Sequence, residues 1–210
     1  MMLATARRRL PPCNATGVMM AESPTKEQLV KYLQELRDTV LWKLDGLDEY
    51  DLRRPLTPTG TSLLGMVKHL ADDEFSYFGE AFGRPVTDLP WIEGRDSGDQ
   101  ADMFARADES VADVVGWYRS SWEHAAQTLA TRDLDALGVV TWWTHQSVTL
   151  GRILLHMAVE TARHAGQMDI LRESVDGAVG LYADNTNIAP VDHAAHRARV
   201  QAIADGFRRS

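Results

Sequence analysis

Residues 150–173 constrain this chain most: apolar side chains recur there at alternating spacings of three and four, as in an amphipathic helix, yet two polar groups interrupt the series. Counted from Leu150, it runs Leu150, Ile153, Met157, Glu160, His164, Gln167, Leu171. Glu160 and His164 thus occupy positions that ordinarily pack against neighbouring helices. A buried carboxylate without a partner is costly or protonates, so the pair needs compensation. Four residues apart on a helix, the two side chains point at one place, and a metal ion there compensates both. A pair hydrogen-bonded to each other, or to polar groups on adjacent helices, satisfies the same spacing.

Three further segments repeat the pattern. Leu29, Leu33, Leu36, Val40 and Leu44 predict a first helix, starting at Ser23 with Pro24 in its first turn and ending near Gly46. Pro55, Pro58 and Gly60 mark a loop, after which Thr59 or Thr61 caps a second helix reaching about Phe82. Gly83, Pro85 and Pro90 open a long polar connection to about Asp102, of a length that often covers a site. Phe104, Ala107, Val111, Val114, Tyr118, Trp122 and Ala125 predict a third helix ending near Ala130. Residues 139–144 are β-branched and aromatic, which suggests a short extended piece whose Trp142 and Trp143 can roof a cavity. Residues 190–207 read as a weaker terminal helix. Four long amphipathic helices predict an all-α fold, a four-helix bundle with long connections and a C-terminal extension. The expected division is a disordered N-terminal extension over 1–22, one helical bundle over 23–185, and a tail with a short helix over 186–210.

The net charge of −8 over 210 residues argues against a sequence-independent grip on nucleic acid or an anionic membrane. No apolar run approaches the roughly 18 residues of a membrane span. Arg7, Arg8 and Arg9 precede Pro11 and Pro12 without the apolar core of a secretory signal, and the single cysteine, Cys13, cannot form an internal disulfide. A soluble protein of the reducing cytoplasm is expected, with a small molecule as partner. Translation starting at Met1 and translation starting near Met19 or Met20 both fit the sequence. A homodimer is compatible with the sequence but does not follow from it, because internal burial accounts for the apolar faces.

At about 100° per residue, the apolar centre of the fourth helix lies near Leu150, Met157 and Met168, with His164 about 40° and Glu160 about 80° away. His156 is about 120° away, and His156, Glu160 and His164 span roughly 12 Å along the axis, too far for one ion to hold all three. Geometry therefore favours Glu160 and His164 as ligands, with His156 supporting them or forming a cavity rim. A catalytic zinc usually takes three protein ligands, so another helix must supply one. His69 is the first candidate, although Leu63, Leu64, Val67, Leu70, Ala71, Phe75 and Phe78 place the apolar face nearly opposite it, the pattern of a solvated histidine. It shares its face with Ser62, Gly65 and Ser76, small residues that leave room for a polar cavity. Asp72, Asp73 and Glu74 follow it; only Asp73 is at i+4, and such an acidic face is expected in solvent rather than on a metal. His124, His193 and His196 are expected at the surface. His145, in the connection leading into the fourth helix, can swing over the site as an acid or base.

The run from Ser62 through His69 to Ala71, followed by Leu150 to Glu173 with His156, Glu160, Arg163 and His164, then Asp176-Gly177, resembles the DinB superfamily of four-helix metalloproteins. More narrowly it is similar to the branch of mini-circle proteins and mycothiol-dependent maleylpyruvate isomerase. The likeness covers about residues 25–185. It implies His69, Glu160 and His164 as ligands of a divalent metal, typically zinc, whose open position receives a low-molecular-weight thiol such as mycothiol. Nickel, iron and manganese also suit a His, His, carboxylate set. Arg163 and Arg152 can contact an anionic substrate or cofactor, or form ordinary surface ion pairs. Two functions follow: a metal-dependent enzyme of thiol chemistry, an S-transferase or isomerase, which needs an open metal position, or a non-catalytic metal-binding helical protein with a stress-associated or sensory role.

Overall fold

A computed structural model of the chain describes residues 25–94 and 99–208. The expectations for residues 1–22, for Cys13 and for a start at Ser23 and Pro24 lie outside them. The first helix, α1 (Lys26–Trp42), is capped by Thr25, whose hydroxyl accepts from the Gln28 amide while the Gln28 side chain accepts from the Thr25 amide. A short α2 (Glu49–Arg53), capped by Asp48, precedes the proline loop. Then α3 (Leu63–Glu74) starts one residue beyond the expected caps, because Ser62 accepts the Gly65 amide at 3.1 Å. The chain continues helically to Phe82 but not as one α-helix: residues 75–79 form a π turn, residues 80–82 a 3₁₀ turn, and Gly83 at φ 76° ends it. π turns insert a residue into the ladder and are frequent at functional sites.

The third long helix, α4 (Val111–Thr131), begins seven residues later than the periodicity places it. Ser110 and Asp113 cap it reciprocally, and Phe104 and Ala107 belong to the preceding connection. The extended piece is real but shifted: β1 (Leu137–Val139) pairs antiparallel with β2 (Ser147–Thr149), Gly138 opposite Val148, and the two tryptophans lie in the loop between. Next come α5 (Leu150–Asp176), the longest helix, and α6 (His193–Asp205), in which no residue is buried.

Helices α1, α3, α4 and α5 form the bundle, α1 against α5 and α3 against both α4 and α5. One apolar cluster joins Val40, Leu64, Val67, Leu70, Val114, Tyr118 and Met168; a second joins Leu33, Phe78, Phe82, Ala125, Leu150, Ile153 and Met157. The core stripe of α5 runs through Thr161, Ala165 and Met168, one residue beyond the heptad count, since the 3.6-residue period drifts from a 3.5 repeat. Glu160 and His164 consequently sit at the edge of the core, their side chains 27 % and 13 % exposed.

The connection between Gly83 and α4 decides what α3 can display. It covers the face of α3 that the periodicity assigns to solvent, and it does so with partners for polar groups. Lys68, wholly buried, donates to both carboxylate oxygens of Glu109 at 2.8 and 2.9 Å. The Trp91 indole donates to Asp72 at 2.6 Å. Glu74, also buried, receives two bonds from Arg37 on α1. The acidic run after His69 is therefore not a solvated face: Asp72 and Glu74 each have an assigned donor.

Candidate metal centre

Two turns of α3 and two of α5 face each other across a half-buried gap. His69 and His164 meet edge to face with ring centroids 5.1 Å apart. Each ring is held through Nδ1: that of His69 donates to Asp102 at 2.7 Å, and that of His164 donates to Gln167 at 2.8 Å. In the neutral rings this leaves both Nε2 atoms as lone pairs, the form in which imidazole binds a metal. Carboxylates face them. Asp73, one turn beyond His69, approaches its Nε2 at 3.5 Å, and Glu160, one turn before His164, approaches that Nε2 at 3.8 Å. Ligand atoms bound about 2 Å from one tetrahedral ion lie roughly 3–4 Å apart. The donor atoms of His69, Asp73 and His164 all fall within 4.8 Å of one another.

The electrostatics suit a cation. Burial pushes the Asp73 carboxyl up to about 7, and the nearby Asp72, Glu160 and Asp102 add to the rise against the pull of His69. His69 is raised: burial disfavours its charge, but the Asp102 hydrogen bond and the Asp73 carboxylate outweigh it. His164 is lowered, by burial first and then by the neighbouring His69, against the Gln167 bond. Converging carboxylates raise one another's proton affinity, and a divalent ion relieves that repulsion while leaving both imidazoles neutral.

Sequence reasoning passed over Asp73 and Asp102. Asp73 carried one signal, its i+4 relation to His69, masked by the acidic neighbours. Asp102 carried none, being 33 residues from His69 in a connection without periodicity. Its arrival depends on Gly65: a methyl group there would overlap the Met103 carbonyl, so only glycine lets the connection lie against α3 one turn before His69. The small residue expected to open a cavity instead admits backbone.

The other candidates separate along α5. His156 packs edge-on against Tyr77 and Trp143, with centroids at 4.8 and 4.9 Å, and burial lowers its pKa. Tyr77 in turn accepts from the indoles of Trp142 and Trp143 at 3.4 and 3.3 Å. The tryptophans thus roof an aromatic cluster at the Glu160 end of the site. Arg152 stacks on Trp143 at 4.9 Å. His145 is exposed in the β1–β2 loop, and His193 and His196 are exposed on α6. His124 departs from its expected surface place: half-buried, its Nε2 donates to the Arg84 carbonyl at 2.9 Å.

A cleft of about 650 Å³ opens beside His164, with Thr57, Thr59, Thr61, Arg163 and Gln167 as polar lining and Met66, Met103 and Leu171 among the apolar residues. A larger groove, about 880 Å³, lies between α1 and α4, away from the histidines.

The model of the mycothiol-S-transferase family matches residues 28–177, a span that includes α1 from Gln28 onward, all of α3, α4 and α5, and every residue of the cluster. The chain belongs to the mycothiol-S-transferase family. This is a DinB-like family, in agreement with the resemblance and with the all-α bundle. A search among curated proteins returns no match. Among the described residues no helix is long and apolar enough to cross a membrane. For a mycothiol-S-transferase family member, the two arginines take on distinct places: Arg163 lines the cleft at His164, whereas Arg152 stands at the aromatic end, two turns before Glu160.

Proposed function

We propose that this protein is a divalent-metal-dependent S-transferase of small-molecule thiols, mycothiol or a related compound, with His69, Glu160 and His164 holding the ion. The observation that carries this reading is the pairing of two Nδ1-anchored imidazoles with carboxylates on adjacent helix turns, in a chain of the mycothiol-S-transferase family. When bound, the ion, most simply zinc, supplies the positive charge that lowers a thiol pKa and holds the thiolate. The residues of the chain do the remainder. Asp102 and Gln167 fix the planes of the two imidazoles. The Thr57, Thr59 and Thr61 hydroxyls, with Gln167 and Arg163, offer hydrogen bonds to the polar body of a thiol lying in the cleft, while Met66, Met103 and Leu171 take its apolar parts. Trp142, Trp143 and Tyr77 keep water from the Glu160 end, and Arg152 offers an anionic electrophile a contact there.

Calorimetry tests the assignment. The zinc-loaded protein is expected to bind mycothiol or another small thiol and to consume it with generic electrophiles, and Arg163→Ala is expected to weaken thiol binding with metal content unchanged. Absence of both binding and consumption would remove the transferase reading. The proximity of Asp73 favours a second one: His69, Asp73, Glu160 and His164 together would make a closed four-donor set, and a closed set is structural. In that case Asp73→Asn lowers stability of the loaded protein and no thiol binds.

A further inference from the structure

The outer face of α5 carries an apolar stripe that the bundle does not use. Leu155, Val159, Ala162, Gly166 and Ile170 recur at spacings of four, three, four and four, and all are exposed, Leu155 and Val159 by 56 % and Ile170 by 67 %. At about 100° per residue they fall opposite the core residues Leu150, Met157, Thr161 and Met168. The solvent side of a bundle helix is ordinarily polar or charged. At the middle of this one, a methyl group on Gly166 would meet nothing within 4 Å.

The stripe complements itself. Turned antiparallel about the point between Ala162 and Arg163, a second α5 sets Leu155 opposite Ile170 and Val159 opposite Gly166, large against small near the crossing. The same rotation sets Arg152 opposite Glu173, both exposed, at each end of the stripe. Every pairing occurs twice, as a two-fold interface requires. A parallel arrangement would instead oppose Arg152 to Arg152 and Glu173 to Glu173, so charge selects the antiparallel register. A cleft of about 200 Å³, bounded by Ile170, Glu173, Val179, Leu181 and Ile188, lies where Leu155 of the second copy arrives.

We infer that this face is a two-fold interface between two copies of the chain. Gly166 and Ile170 also line the cleft beside His164, so Val159 and Leu155 of the second copy form its outer wall. That consequence rests on the cleft being the thiol site; the interface itself does not.

Sedimentation of the full chain at micromolar concentration tests it. The expected particle contains two chains, and Ile170→Glu gives a single chain with wild-type metal content, so failure of the interface and failure of the metal site read out separately. Arg152→Glu and Glu173→Arg each weaken association about a hundredfold, about tenfold for each of the two equivalent ion pairs, and the double exchange restores it. A single chain in the wild type, an association that survives Ile170→Glu, or a double variant no tighter than the singles would overturn the proposal.

Discussion

His69 owes its place in the site to a residue with no side chain. The Met103 carbonyl lies where the Cβ of residue 65 would stand, and Asp102, next to it, holds the His69 ring. Gly65→Ala forces backbone against backbone, a form of overpacking that costs about 1–3 kcal/mol. It should lower the melting temperature by several degrees and weaken metal binding, since the connection carries Asp102 away as it yields. Thermal denaturation and a metal titration check this together; a variant of unchanged stability that binds metal as tightly would show that the close approach is not needed. The contrast between His69 and His164 explains what the sequence disclosed. Glu160 and His164 were legible because they interrupt a strong 3.6-residue pattern on their own helix. His69 was legible from the resemblance but not from its own periodicity, because that pattern describes α3 as though its outer face met water, and that face is covered by a remote segment.

That segment is the element on which the site depends. The connection after Gly83 is fastened by the buried Lys68–Glu109 pair, by Trp91 on Asp72, and by an apolar cluster of Phe75, Leu89, Trp91 and Ala101. Removing one partner of a buried ion pair leaves the other charge uncompensated, at a cost of about 3–5 kcal/mol. Lys68→Ala should therefore loosen the connection and speed its proteolytic cleavage before α5 is affected; cleavage at the wild-type rate would contradict the latch. Its existence as a long polar connection was readable, as was its tendency to cover something. The bonds were not, because an aperiodic stretch does not encode which helix face it lies on. The π turn at residues 75–79 and the late start of α4 escaped for a related reason: apolar spacing continued through both, and only caps and ladder geometry distinguish them.

At the scale of the whole molecule, α3 and α5 are joined by apolar contacts along their length and by the His69–His164 cluster at one level. The sequence order of the four long helices was legible from periodicity alone. The gap between α3 and α5, with its excess of carboxylates, was not, since it exists only once both helices are placed. An ion held from both helices ties them together, so binding is also folding free energy. The central claim is that His69 and His164 act on one ion. Elemental analysis of purified wild type, His69→Ala and His164→Ala tests it most directly, with helix content measured in parallel. One divalent ion per wild-type chain, lost in both variants while helix content stays the same, is the result expected. Equal metal content in all three proteins would contradict it.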